Sequence, residues 1–184
     1  MKGTIYYTIL ENTEKVNRLH HAAGQMLLET GLKELYGKDL ETMERGTGEH
    51  GKPYFPGAPE IHYNISHSGK YVVCVFAEEE IGIDVQEHRK VNYQMMLRKM
   101  VPEHMITQIM DYPDPERAFY TQWVLREAYV KWTGLGLAQD LTEIPMERGV
   151  SMLLSLDEGY SGAVWAEKPA SLEWVYKKTD LQGN

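Results

Sequence analysis

An α+β fold is predicted by two features of the chain. Short aromatic and β-branched runs recur with turn-sized connections, so the strands are hairpin-linked rather than separated by crossover helices. Two longer stretches, 14–36 and 116–132, carry apolar residues at three- and four-residue steps, the period of a helix with one buried face. In order, strand–helix–loop–three strands is followed by helices–three strands. That order predicts two similar halves, roughly 1–90 and 91–184, each a small antiparallel sheet with packed helices.

Thr4-Ile-Tyr-Tyr-Thr-Ile-Leu10 reads as the first strand, and Asn12 or Thr13 offers an N-cap for a helix from Glu14 to Tyr36. Residues 37–59 are rich in Gly, Pro and charge and read as a loop, because Pro53, Pro56 and Pro59 each remove a backbone donor. Ile61–Ser66, Tyr71–Ala77 and Ile81–Gln86 read as an antiparallel meander, joined by Ser-His-Ser-Gly-Lys and Glu-Glu-Glu. Pro102 divides the methionine-rich stretch 93–110 into two short helices. Pro113 and Pro115 start the next helix and Gly134 and Gly136 end it. Three strands close the chain at 150–155, 161–167 and 171–177.

The 184 residues carry 19 Lys+Arg against 27 Asp+Glu, a net charge of −8, with 42% apolar residues. This is the composition of a globular protein. The acidic balance argues against a nucleic-acid partner, which requires a basic face. No apolar run approaches the roughly 20 residues of a membrane span. The start of the chain lacks the core of a signal peptide, so a cytoplasmic location is expected. Cys74 is the single cysteine, which excludes an internal disulfide and a cysteine zinc site.

Four segments can carry chemistry. In Ile81-Gly-Ile-Asp84-Val-Gln86, Asp84 is the one ionised group of an apolar strand and points to the same side as Gln86. Taken alone, it also suits a strand-end Asp satisfied by amides or an Arg. Glu127 and Lys131 share a helix face at i, i+4, usually the geometry of a weak surface pair, but aromatic residues surround them here. Asn64-Ile-Ser66-His67-Ser68-Gly69 can present donors to an anion, or is an ordinary turn. Gly51-Lys52-Pro53 places a cation in a rigid loop and says little by itself. Together, the two carboxylates suit a hard cation such as Mg²⁺, and Lys52, His67 and Lys131 suit the phosphates it would accompany. Neither a Walker loop nor a Gly-x-Ser-x-Gly elbow is present.

Read in order, GKPYF, YNISHSG, IGIDVQ and FYTQWVLREAYVKWTGLGL resemble the 4′-phosphopantetheinyl transferases, in the branch built as a pseudo-dimer within one chain and typified by the surfactin-synthetase activator. The resemblance covers roughly residues 51–137. It implies two α+β halves related by a pseudo-twofold, with coenzyme A in the cleft between them. It implies Asp84 and Glu127 as ligands of Mg²⁺ (Mn²⁺ being the alternative), Gln86 as a third oxygen where many members have glutamate, and Glu127 also as general base. Lys131 would meet the pyrophosphate, Ser66 and His67 would contact phosphate, and Gly51, Lys52 and Pro53 would line the coenzyme. Arg18, His20 and His21 lie near where the family places a basic phosphate contact. Arg126 stands where many members have lysine.

The implied reaction moves the 4′-phosphopantetheine group from coenzyme A to a serine of an apo acyl or peptidyl carrier protein, releasing adenosine 3′,5′-bisphosphate. The protein is expected to be a monomer, without a nucleic-acid or membrane partner. Two rival readings stand beside it: a non-catalytic module binding coenzyme A or a carrier protein, against which both carboxylates and Lys131 speak while Gln86 leaves it open, and a metal-dependent phosphohydrolase using the same acids on a smaller substrate. Carrier docking is expected on residues 93–110, through Met95, Met96, Met100 and Met105.

Overall fold

The computed structural model describes residues 1–11, 16–136 and 140–178, with the side chains of 16–18 outside that set. The expected cap at Asn12 or Thr13, the helix start at Glu14 and the Arg18 side chain therefore lie outside the described residues. Nine strands are described, β1 Lys2–Ile9, β2 Gly46–Thr47, β3 Pro53–Tyr54, β4 His62–Ser68, β5 Tyr71–Ala77, β6 Ile81–Glu87, β7 Val150–Leu153, β8 Tyr160–Ala166 and β9 Ser171–Tyr176. The described helices are α1 Val16–Tyr36, α2 Tyr93–Leu97, α3 Glu103–Met110 and α4 Pro115–Thr133.

The result is the expected α+β class, arranged in layers as α1, a four-stranded sheet (β4-β5-β1-β9), a three-stranded sheet (β6-β8-β7) and α4. Strand periodicity builds these layers. Val72, Cys74 and Phe76 of β5 turn to Ala23, Leu27 and Leu32 of α1, while Val73 and Val75 turn to the second sheet. Burying each such leucine contributes about 1.5–3 kcal/mol. In β6, Ile81, Ile83 and Val85 face the first sheet. Gly82, Asp84 and Gln86 are thereby left to face α4. Ala163 and Trp165 of β8 turn to Val124, Ala128 and Tyr129 of α4.

Three readings of the sequence are corrected. The meander 61–86 does not exist: β4 and β5 pair, but β6 leaves them and pairs antiparallel with β8. A short acidic linker favours a hairpin only when both strands share a sheet, and β6 needs apolar cover from the first sheet on one face and α4 on the other. Ser66-His67-Ser68 is strand rather than turn, so successive side chains alternate between faces. β9 does not follow β8 in its sheet but adds parallel to β1. Both sheets nonetheless follow one plan, strand–helix–strand–strand with the last strand in the middle: β1-α1-β4-β5 in the first and β6-α4-β7-β8 in the second.

Pro102 separates α2 from α3 as expected, since Glu103 opens the second. Met95 is 54% exposed, but Met100 is 5% exposed and packs with Leu97, Val101, Ile106 and Phe119. Met100 is therefore core and cannot offer a docking surface. α4 starts where Asp114 caps the Arg117 N–H at 2.9 Å, with Pro115 in the first turn, and ends at Gly134, whose φ of 69° closes the last turn.

Candidate active site at the seam of the second sheet and its helix

Gly82 makes the site possible. A Cβ built there would lie 2.0 Å from the Ala128 carbonyl oxygen and 2.4 Å from the Trp132 nitrogen, so the bare backbone lets α4 lie directly on β6. Asp84, two residues on and on the same face, then meets the helix side chains. It is 2% exposed. Its Oδ1 accepts from Lys131 Nζ at 2.7 Å and from Ser66 Oγ at 2.9 Å, and its Oδ2 accepts from Gln86 Nε2 at 3.1 Å. A buried carboxylate without such partners would cost several kcal/mol.

Glu127 lies one turn before Lys131 on α4, half-buried. Burial, then repulsion from Asp84, raise its pKa above the ordinary carboxylate value, and Lys131 partly offsets them. Lys131 forms its ion pair with Asp84 across the seam, so the i, i+4 spacing serves to put both side chains over β6.

Ser66 is buried and its hydroxyl is saturated. It donates to Asp84 and accepts from Lys131 Nζ at 2.9 Å and from the Val85 N–H at 3.2 Å. His67, next in the strand, faces the other way, stacked on His20 of α1 with ring centres 4.3 Å apart. His20 is buried, and its Nε2–H donates to the Gly69 carbonyl at 2.8 Å. Packing on that stacked face, with His20 and Lys131 nearby, holds the His67 pKa below its ordinary value while the outer side of the ring stays open. His21 is exposed.

Asp84, Gln86, Glu127, Lys131 and Ser66 are thus brought together, with His67 and His20 on the opposite face of β4. Lys52 sits elsewhere in this seam, on the loop between β2 and β3 where Gly51 has a φ of 90°. Its Nζ donates to Glu80 and, at 2.9 Å, to the Trp132 carbonyl, so it caps the C-terminus of α4. Pro53 is exposed in β3. Arg126 faces out of the site, although it precedes Glu127. It is 1% exposed, donates to Gln122 and to the Leu141 carbonyl at 3.3 Å, and burial pushes its pKa down to about 10. Its work is to tie the 141–143 turn to the helix.

Gly82, Asn64 and Ser68 lie inside the motifs read from the sequence, but that reading gives none of them its own place in the site. The signal for the last two was present as a polar residue at every second position of β4.

The donor set suits Mg²⁺ or Mn²⁺. A hard cation takes one or two carboxylates and completes its shell with phosphate and water. It would also relieve the Asp84–Glu127 repulsion that raises the Glu127 pKa. Among the described residues no group of three or more His, Cys, Asp or Glu side chains is clustered to hold a metal by itself. Among them, too, no helix is long and apolar enough to cross a membrane.

A family model described as the 4′-phosphopantetheinyl transferase superfamily matches residues 80–179, the segment running from β6 through β9. The chain is 33% identical to a 4′-phosphopantetheinyl transferase of Bacillus subtilis, with 92% of this chain and 86% of the relative covered. It is 30% identical to the 4′-phosphopantetheinyl transferase Sfp of Bacillus subtilis strain 168, covering 92% of this chain and 75% of that protein. An L-aminoadipate-semialdehyde dehydrogenase-phosphopantetheinyl transferase of Saccharomyces cerevisiae is similar at 26% identity over 82% of this chain and 61% of its own length.

Proposed function

Because the chain belongs to the 4′-phosphopantetheinyl transferase superfamily, we propose that it transfers the 4′-phosphopantetheine group of coenzyme A to a serine of an apo acyl or peptidyl carrier protein. The observation that carries this reading is the buried Asp84 facing Glu127 and Lys131 across one β–α seam. In the reaction the serine oxygen bonds to the pantetheine-bearing phosphorus of coenzyme A. The bond from that phosphorus to the adenosine 3′,5′-bisphosphate oxygen breaks, and the serine proton passes to Glu127. Glu127 shares with Lys131 the helix face that lies over the site, so it stands where it can take that proton directly or through a water.

Asp84 and Glu127 would hold Mg²⁺, or Mn²⁺ in its place, which when bound supplies neutralising charge at the pyrophosphate; Gln86, whose amide nitrogen faces Asp84, would add its oxygen only with that amide turned over. Lys131 already spends two of its three N–H donors on Asp84 and Ser66 and carries its charge beside them, where it favours the departing phosphate. His67, open on its outer side, meets the 3′-phosphate. His20, stacked beneath it, and the Gly51-Lys52-Pro53 loop complete the walls around the coenzyme. Lys52 would turn from Glu80 toward a phosphate when one is offered. The two-half organisation is proposed on the shared strand order; in place of the expected division near residue 90 the changeover is proposed in the Glu78–Glu80 turn, because β6 pairs with β8 and so opens the second half. Action in the cytoplasm as a monomer completes the proposal.

Two outcomes test the outer parts of this site. Gln86→Glu should lower the Mg²⁺ concentration giving half-maximal rate, since it adds charge to a hard-cation site. A titration in which that concentration is unchanged and activity is retained removes Gln86 from the metal's reach. His67→Ala should raise KM for coenzyme A roughly tenfold, the value of one hydrogen bond to a charged group. KM for 3′-dephospho-coenzyme A should stay near that of the parent protein, and equal losses with both substrates would move His67 off the 3′-phosphate.

A further inference from the structure

β6 uses one edge to pair with β8. Its other edge turns toward β4, which is itself the last strand of the first sheet. Two buried strand edges side by side would ordinarily join by a backbone ladder, because each buried N–H left unpaired costs about 1–3 kcal/mol. Here no backbone pairing links them among the described strands. Side chains of β4 take its place. Asn64 Oδ1 accepts from the Ile83 N–H at 3.1 Å, Ser66 Oγ from the Val85 N–H at 3.2 Å, and Ser68 Oγ from the Glu87 N–H at 2.9 Å. The acceptors fall at every second residue of β4, the donors at every second residue of β6, and the offset is 19 residues at each rung.

We propose that Asn64 and Ser68 are positioning residues of the transferase, which through these rungs hold β6 in the register that turns Asp84 to α4. The assignment rests on Asp84 belonging to the site. A slip of β6 by one residue would turn Ile83 and Val85 to α4 and Asp84 to the apolar layer between the sheets. In the observed register the acceptors, spaced two apart on β4, meet the odd-numbered N–H groups of β6; apolar alternation sets which face of β6 meets α4, and the rungs pin the strand there. Two rungs also reach the site directly. Ser66 bridges the Val85 N–H to Asp84, and Ser68 Oγ lies 3.5 Å from Gln86 Oε1, the far end of the amide that donates to Asp84. The ladder thereby carries the relative placement of the two sheets to the carboxylate that has to face Glu127 and Lys131.

Ser66 contacts Asp84 itself, so the test uses its neighbours. Ser68 is partly exposed at the end of the ladder, and Ser68→Ala removes one acceptor while Ser68→Thr keeps it on a β-branched residue suited to a strand. Site-resolved amide exchange is measured on the parent protein and both variants, with kcat and KM for coenzyme A normalised to folded protein. The Glu87 amide should be protected in the parent and in Ser68→Thr and exchange about tenfold faster in Ser68→Ala. In Ser68→Ala kcat should fall about tenfold, as a small displacement of reacting groups does, while KM for coenzyme A stays within about twofold. Ser68→Thr should restore kcat. Asn64→Ala, deeper in the ladder, should show the same pattern at the Ile83 amide. A Glu87 amide that exchanges freely in the parent, a parent-like kcat in Ser68→Ala, or equal losses in the alanine and threonine variants each overturns the proposal. Exchange is read without substrate, so a failure of the ladder is distinguished from a parent protein that does not modify a carrier.

Discussion

Asp84→Ala is expected to lower kcat for carrier modification by about 10²–10³, the loss typical of removing one positioned electrostatic group, and to leave the fold standing. Asp84 is the acceptor on which Lys131, Ser66 and Gln86 converge, so its removal takes charge from the metal site and orientation from three neighbours. Stability should fall by about 1–3 kcal/mol, the cost of the buried Ser66 O–H losing its acceptor. The Lys131 side chain is 27% exposed and regains water once its partner is gone, which limits the loss. Asp84→Asn separates charge from shape and should show a similar loss, as should Glu127→Ala. Circular dichroism and thermal melting establish that the variants are folded. Near-parent turnover by a folded Asp84→Ala protein would remove the site assignment.

Gly82→Ala is expected to be the most damaging single methyl group in the described structure. Atoms 2.0 and 2.4 Å from the added Cβ belong to the α4 backbone and cannot rotate away, so the helix must lift from β6. Overpacking of this kind costs about 3 kcal/mol, at the upper end of the usual range, which in a chain of this size lowers Tm by about 6–12 °C. Activity should fall further than stability, because the displaced helix carries Glu127 and Lys131 away from Asp84 together. Gly57→Ala is the control: a Cβ there meets nothing within 4 Å. A Gly82→Ala protein with parent-like Tm and turnover would contradict the close β6–α4 contact.

Local rules made much of this legible. Alternation in 81–86 placed Asp84 and Gln86 on one face, the prolines and Gly134 bounded α4, and helix spacing put Glu127 and Lys131 on one side of it. Those rules stop at the end of each element. Nothing in Glu78-Glu79-Glu80 says that β6 abandons β5, because the cause is the apolar cover that β6 finds between the first sheet and α4. Lys52 reads locally as a free loop cation, yet Glu80 and the Trp132 carbonyl claim it from across the fold. Met100 reads as surface because Arg98 and Lys99 precede it, and only α4 supplies the Phe119 that helps bury it. Likewise Ser66 and His67 read as a pair until the strand places them on opposite faces.

The central claim is transfer, and intact-mass spectrometry of an apo carrier protein incubated with the chain, coenzyme A and Mg²⁺ tests it most directly. Carrier heavier by one phosphopantetheine group, with adenosine 3′,5′-bisphosphate appearing in equal amount, is the predicted result. Unmodified carrier would contradict it: with coenzyme A intact the chain would be a binding module, and with coenzyme A cleaved it would be a phosphohydrolase.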